Sequence, residues 1–275
     1  MRTPLARTTV RDALDSALIA LAAAGCETPR LDAEVLLAAA MGADRAVLIS
    51  DPGRGLDPGE ARTFQHYARR RSQREPVAYI LGRKGFRRLE LAVDPRVLIP
   101  RPETEHVVEA ALALPAGARV VDVGTGSGAI ALALADERPD LEVLGTDASA
   151  GALAVARGNA ARLGLPVEFL EGDLLAPVEG RVDAVVSNPP YVRAGERLAP
   201  EITRFEPADA LYAGPDGLEV YRRLVPAAAA ASFVALEVGD GQAAAVSALL
   251  RDAGFASIDV GADLAGIERV VVARR

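Results

Sequence analysis

The sequence predicts an α/β protein in two parts, a small all-α domain followed by a doubly wound, mainly parallel sheet. Three observations carry this. Residues 1–83 show helical periodicity only, strand-like apolar runs alternate with helical ones from about residue 119 onward, and a glycine-rich turn follows the first of those runs. Such alternation gives parallel strands with helices on both faces. The 275 residues leave room for both parts, because domains commonly hold about 100–200 residues.

Composition narrows the function classes. Hydrophobic residues make up 50% of the chain and charged residues 25%, which supports a large core and argues against global disorder. A net charge of −7 argues against a protein that grips long nucleic acid by neutralising phosphates. Cys26 is the single cysteine, so neither an intrachain disulfide nor a thiolate cluster can form. His66 and His106 are too few for a zinc cluster, and no metal is expected. Arg2, Arg7 and Arg11 precede an apolar stretch ending in Ala23-Ala24-Gly25-Cys26, which superficially resembles a lipoprotein cleavage site. Helical spacing of Val10, Ala13, Leu14, Ala17, Leu18 and Leu21, with Asp12 and Asp15 on the other face, reads instead as an amphipathic core helix. No apolar run approaches membrane-spanning length. A cytoplasmic protein is the expectation.

The elements follow in order. After the first helix, a second is expected over 31–41 and a short third over 43–49. Asp57-Pro58-Gly59-Glu60 supplies a capping acid, a proline at the first helical position and a glutamate three residues after the cap, which starts a fourth helix running to about Arg74. Arg69, Arg70, Arg71 and Arg74 near its end read either as a solvated basic helix end or as a docking patch for an acidic or RNA-associated partner. A β-hairpin turning at Asp94-Pro95 is expected within a connection spanning 84–100. The second domain, 101–275, should hold strands over 119–123, 142–146, 167–170, 182–187, 233–238, 257–260 and 268–273. Helices fit over 129–135, 150–163, 218–230 and 242–253.

The first chemical signal is Asp122-Val123-Gly124-Thr125-Gly126-Ser127-Gly128, a strand running into a glycine-rich turn that opens a helix. Such a turn lets a ligand approach backbone N–H groups. With Ala129 it fits a dinucleotide-binding pattern, and Asp147 arrives where such folds place a ribose-binding acid, so a nicotinamide-dependent oxidoreductase is one reading. Asp122 favours another. A carboxylate this close would repel a pyrophosphate but suits a ligand carrying an ammonium and a sulfonium, as S-adenosylmethionine does. Asp147 would then accept the ribose hydroxyls, Asp173 the adenine amino group, and Leu174 would cover the ring. For Asp173 a plain loop acid or helix cap is an equal reading.

The second signal is Asn188-Pro189-Pro190-Tyr191, directly after the apolar run 182–187. It sits at the sheet edge where open α/β folds bind ligands. A planar NH2 group is a poor nucleophile because its lone pair is delocalised. The Asn188 side-chain oxygen and the Pro189 carbonyl could each take one N–H and turn that lone pair toward a methyl group. Proline fixes the corner, and Tyr191 offers an aromatic face to a flat substrate.

At these residues the chain resembles the release-factor glutamine methyltransferase family, also called PrmC or HemK, the protein-(glutamine-N5) methyltransferases. The resemblance extends over nearly the whole chain. Its further elements are Pro76-Val77-Ala78-Tyr79-Ile80-Leu81-Gly82, Val97-Leu98-Ile99-Pro100-Arg101-Pro102-Glu103-Thr104-Glu105, Arg204-Phe205-Glu206-Pro207 and Gly214-Pro215-Asp216-Gly217-Leu218. It implies a Rossmann-like, seven-stranded S-adenosylmethionine-dependent methyltransferase domain, preceded by a helical substrate-docking domain and a β-hairpin connection. It also implies methylation of the glutamine in the Gly-Gly-Gln motif of class 1 peptide chain release factors. By resemblance the cofactor site falls on Gly124, Thr125, Gly126, Ser127, Gly128, Asp147, Asp173, Leu174 and Asn188, and Asn188, Pro189, Pro190 and Tyr191 form the substrate corner. Catalysis is assigned to Asn188, Pro189 and Tyr191. Pro102 to Glu105 would line the pocket, although they also read as a helix start, and Glu206-Pro207 as a closing loop or an ordinary turn. Two relatives in chemistry share the corner, a ribosomal-protein glutamine methyltransferase and an adenine-N6 DNA methyltransferase. The net charge and the lack of a base-reading insert disfavour the latter, and neither a membrane nor a direct nucleic-acid substrate is expected.

Overall fold

The computed structural model describes residues 8–275, and the chain divides into two compact units. Arg2 and Arg7, the basic residues before the apolar stretch, lie outside the described residues. The first unit runs through Gly82 and also takes in Ala199–Phe205. It contains α1 (Val10–Ala23), α2 (Pro29–Met41), α3 (Arg45–Ser50), α4 (Pro58–Ser72) and α5 (Val77–Leu81). Val10, Leu21, Leu36, Leu37, Phe64 and Ile80 form its buried core. The start of α4 is the expected capping box: the Asp57 carboxylate accepts from Gly59 and Glu60 N–H at 2.7 and 2.8 Å, and Glu60 accepts from Asp57 N–H at 2.9 Å. A cap of this type contributes about 1 kcal/mol.

The second unit opens with the antiparallel pair β1 (Arg83–Phe86) and β2 (Leu89–Ala92). There follow α6 (Glu105–Ala111), β3 (Arg119–Val123), α7 (Ala129–Glu137), β4 (Glu142–Asp147), α8 (Ala150–Leu163), β5 (Glu168–Glu171) and β6 (Ala184–Ser187). After α9 (Pro200–Phe205), which belongs to the first unit, come α10 (Glu219–Ala227), β7 (Phe233–Glu237), α11 (Ala243–Asp252), β8 (Ser257–Ala262) and β9 (Glu268–Arg274). The seven-stranded sheet has the order β5-β4-β3-β6-β7-β9-β8. Its first five members run parallel, and β9 is antiparallel to both neighbours. Strand order reverses at β3, between β4 and β6, so a crevice opens at the carboxyl ends of those strands.

Side-chain alternation divides the sheet into two cores. Val120, Ala184, Val186, Phe233 and Ala235 face the core that includes Val107, Val108, Leu132 and Leu153 from α6, α7 and α8. Val121, Val185, Val234 and Leu236 face Tyr221, Leu224, Val246 and Leu250 from α10 and α11.

Two expectations change. The hairpin turns at Arg87-Arg88, not at Asp94-Pro95, because Phe86 pairs with Leu89. Arg87 takes a φ of 52°, a conformation that costs an L-residue about 1–2 kcal/mol. Long-range bonds hold it there: its N–H donates to Glu105 at 3.0 Å, and its guanidinium donates to Glu137 and Glu109 at 2.8 and 2.9 Å. The arginine cluster is for the most part neither solvated nor free to dock. Arg71 is buried and donates to Asp32 at 2.7 Å and Glu201 at 2.9 Å, Arg74 donates to Glu201 at 2.7 Å, and Arg70 to Glu75 at 2.8 Å. Arg69 alone of the four stays exposed.

Candidate active site

The glycine turn is built almost entirely from its immediate surroundings. Gly124 and Thr125 N–H donate to the Thr146 carbonyl at 2.8 and 2.9 Å, and Gly126 N–H donates to the Asp147 carboxylate at 2.9 Å. Gly124, Gly126 and Gly128 all take positive φ. At Gly128, φ is 84° and a Cβ would lie 2.9 Å from Leu132 Cδ1, so the start of α7 admits no side chain there. At Gly124 and Gly126 an added Cβ would meet nothing within 4 Å, so the backbone there borders open space.

Beneath the turn lies Asp122, fully buried. Its Oδ2 accepts from the Thr125 hydroxyl at 2.6 Å and from Ala131 N–H at 3.1 Å. Its Oδ1 is buried and has no partner among the described residues. Burial pushes this carboxyl up to about 7, against the lowering effect of those two bonds. At the rim, Asp147 is half-buried; its oxygens accept from Gly126 and Ser149 N–H at 2.9 and 2.8 Å. A carboxylate offers about four lone-pair sites, so acceptor capacity remains.

The corner after β6 is built differently. Asn188 stands one residue beyond β6, Pro189 is buried, and Pro190 and Tyr191 are half-buried. Asn188 Nδ2 donates to the Thr104 hydroxyl at 3.0 Å. Thr104 is buried in the one-turn 3-10 helix Pro102–Thr104 and donates at 2.6 Å to Oε2 of Glu237, the last residue of β7. Tyr191 OH donates to Glu237 Oε1 at 3.3 Å, and Tyr221 OH donates to the Glu237 carbonyl at 2.7 Å. Burial pushes the Glu237 carboxyl up to about 7, and burial and the Glu237 charge raise the Tyr191 phenol. Among the described residues, neither Asn188 Oδ1 nor the Pro189 carbonyl accepts a hydrogen bond.

A likeness over the full chain decides the family. A release factor glutamine methyltransferase of Geobacter sulfurreducens is 43% identical over 274 residues, covering 97% of this chain and 96% of its own. The chain belongs to the release factor glutamine methyltransferase family. A second member, from Mycolicibacterium smegmatis, is also 43% identical and covers 98% of both chains. The family models for the PrmC N-terminal domain and the methyltransferase small domain match residues 12–82 and 104–206. A solved methyltransferase from Pyrococcus furiosus shares the fold, with a TM-score of 0.53 at 19% identity over 68% of this chain and 88% of that one. Family and fold together imply S-adenosylmethionine as the methyl donor.

Against the sequence expectations, Gly124, Thr125, Gly126, Ser127, Gly128 and Asp147 converge at the carboxyl ends of β3 and β4. Asn188, Pro189, Pro190 and Tyr191 lie at the end of the neighbouring β6. Asp173 is exposed and ion-paired with Arg223 through Oδ2, so the loop-acid reading describes much of its environment. Leu174 takes a φ of 51°, and its carbonyl accepts from the Thr146 hydroxyl at 2.8 Å. Glu206 is buried and accepts from the Arg101 guanidinium and, at 3.1 Å, from the Ile99 N–H. His106 lies 3.7 Å from Glu109 on the outer part of α6.

Sequence reasoning missed Glu237 and the individual role of Thr104. Its signal was an acid closing an otherwise apolar strand, Phe233–Glu237, at the ligand-binding edge of the sheet. It also missed Asn159, fully buried in α8, whose amide accepts from Ala92 N–H at 2.7 Å and donates to the Ser127 carbonyl at 3.0 Å.

Proposed function

We propose that the protein transfers a methyl group from S-adenosylmethionine to the N5 amide nitrogen of the glutamine in the Gly-Gly-Gln motif of class 1 peptide chain release factors. The observation that carries this reading is the pair of unpartnered acceptors, Asn188 Oδ1 and the Pro189 carbonyl, on one rigid corner beside the glycine turn. Two acceptors match the two hydrogens of a primary amide.

In this reading Gly124, Thr125, Gly126, Ser127 and Gly128 hold the amino-acid end of the cofactor. Asp147 takes the ribose hydroxyls with its remaining lone pairs, and Asp122 in its ionised form favours a cationic ligand overhead. Leu174 covers the adenine, and Asp173 keeps Oδ1 for its amino group while Oδ2 holds Arg223. The bound donor supplies a methyl carbon whose bond to a positively charged sulfur breaks heterolytically, leaving the electron pair on a neutral thioether.

The glutamine NH2 gives one hydrogen to Asn188 Oδ1 and one to the Pro189 carbonyl, and Tyr191 and Pro190 flank the amide. This hold turns the nitrogen lone pair out of conjugation and toward the methyl carbon. Fixing two reactants in this way lowers a barrier by up to about 7–11 kcal/mol. After the C–N bond forms, the amide nitrogen carries a positive charge and is acidic enough to lose its proton to water, so no strong base is required. Asn188 also borders the cofactor in this arrangement. The first unit docks the release factor, and a cytoplasmic location follows from that partner.

The test is incubation with isotopically labelled S-adenosylmethionine and an intact release factor, followed by peptide mapping. Label on the glutamine of Gly-Gly-Gln is expected. Label on a ribosomal protein or on DNA instead, or binding of NAD in place of S-adenosylmethionine by calorimetry, would overturn the reading.

A further inference from the structure

The corner presents an oxygen only if the Asn188 amide is held the right way round. An asparagine side chain is nearly symmetric in shape, and its two ends differ only in hydrogen bonding. Outward Oδ1 accepts an N–H from the incoming amide, whereas outward NH2 would repel it.

The choice is made behind the corner. Thr104 has one hydroxyl hydrogen, and at 2.6 Å that hydrogen goes to Glu237 Oε2. The oxygen of Thr104 is then left to accept, and what it accepts is Asn188 Nδ2–H at 3.0 Å. Each bond in this chain has a direction set by the one before it, and the origin of the direction is the Glu237 carboxylate, which only accepts when ionised.

We infer that Glu237 is a positioning residue which, acting through Thr104, fixes the orientation of the Asn188 amide so that its oxygen faces the reacting nitrogen. The inference rests on the function proposed above. Glu237 does not itself touch the reacting atoms. It sits at the end of β7 on the face of the sheet shared by Phe233 and Ala235, the face covered by α6, and Thr104 immediately precedes that helix. A Glu237 protonated on Oε2 would donate to Thr104, release the hydroxyl hydrogen toward Asn188, and favour the amide with NH2 outward.

The groups that face Glu237 are Thr104 and the acid Glu103 from the turn before α6, Tyr191 from the corner, the Tyr221 hydroxyl from α10 and the Arg269 cation from β9. Burial outweighs the lowering effects of Thr104, Tyr191 and Arg269, so the carboxyl titrates near neutrality, at about 7. Turnover therefore rises as pH increases through that value, because the ionised form is the one that orients Asn188.

The experiment measures kcat and KM across about pH 5.5 to 9 at saturating S-adenosylmethionine, with a release factor as substrate, for the wild type, Glu237→Gln, Thr104→Val and Thr104→Ser. Glu237→Gln is expected to lose the rise in kcat near pH 7. Thr104→Val should lower kcat about tenfold with both KM values nearly unchanged, as expected for one directed hydrogen bond. Thr104→Ser, which keeps the hydroxyl, should restore kcat. Persistence of the pH step in Glu237→Gln, or equal loss in Thr104→Val and Thr104→Ser, would overturn the inference while leaving the proposed activity intact. A wild-type enzyme that leaves the release factor unmethylated would instead overturn the proposed function. If Glu237→Gln fails to fold, the pH profiles of the two Thr104 variants decide the matter: the step near pH 7 should vanish in Thr104→Val and return in Thr104→Ser, and a step that persists in Thr104→Val would overturn the inference.

Discussion

Two buried carboxylates underlie the two halves of the site, and their partners differ in a way that explains how each half is made. Asp122, below the glycine turn, bonds to Thr125 and Ala131, three and nine residues away in the chain. Glu237, below the Asn188 corner, bonds to Tyr191 and Thr104, 46 and 133 residues away. The first is a local device that shapes a loop and leaves one oxygen without a partner. The second spends both oxygens on side chains brought in from distant elements, and it acts on the orientation of another residue. The loop is held by the Thr125 hydroxyl and Ala131 N–H on Asp122 from below and by its own backbone N–H groups on Thr146 and Asp147 of the adjacent strand, whereas the Asn188 amide is oriented by side chains from elements remote in the chain.

The two halves separate most visibly at Asn188. Replacing it with alanine removes an acceptor needed at the moment of reaction, so kcat should fall by about 10²–10³, while S-adenosylmethionine affinity measured by calorimetry changes far less. An equal loss of both would assign Asn188 to binding alone. On the other side, Asp147→Ala should weaken cofactor binding about ten- to a hundredfold, by the loss of charge-assisted hydrogen bonds, with a smaller effect on kcat at saturation. Unchanged affinity would remove Asp147 from the ribose.

Stability supplies two smaller effects. Gly128→Ala should cost about 1–2 kcal/mol from its left-handed backbone alone, with a further penalty from the contact with Leu132, read by denaturant unfolding. An unchanged midpoint would mean that the start of α7 is not the rigid step described. The smallest effect concerns pH. Burial raises the Asp122 carboxyl from 3.8 to about 7, so the folded protein binds this proton more tightly than the unfolded chain. Its contribution to stability is present in full below about 4 and is lost as pH rises toward 7. Asp122→Asn should flatten that part of the curve in thermal melts at several pH values, leaving the slope that Glu237 contributes in the same window. A curve with its full slope retained would contradict the burial argument.

Sequence legibility follows the same division. The strand Arg119–Val123 and the helix Ala150–Leu163 could be read because their periodicity and flanking glycines act over a few residues, and the glycine turn could be read for the same reason. The hairpin turn could not. Asp94-Pro95 has the stronger local turn chemistry, and Arg87 holds its positive φ only through Glu105, Glu109 and Glu137, acids on elements still to come in the chain. Asn188 to Tyr191 stood out as a motif, but Thr104 looked like part of a helix cap and Glu237 like the polar end of a strand, because their connection exists only after β6, β7 and the turn before α6 meet. The arginines near the end of α4 pointed outward in sequence terms, whereas Arg71 turns in to Asp32, and the return of Ala199–Phe205 to the first unit supplies Glu201 to Arg71 and Arg74.

The most direct measurement is a crystal structure of the protein with S-adenosylhomocysteine, the demethylated product of the donor, and a glutamine-containing release-factor peptide. The glutamine nitrogen is expected about 3 Å from both Asn188 Oδ1 and the Pro189 carbonyl, with its free face toward the sulfur. A glutamine amide held by other groups, or an Asn188 with its NH2 toward the substrate, would contradict that arrangement.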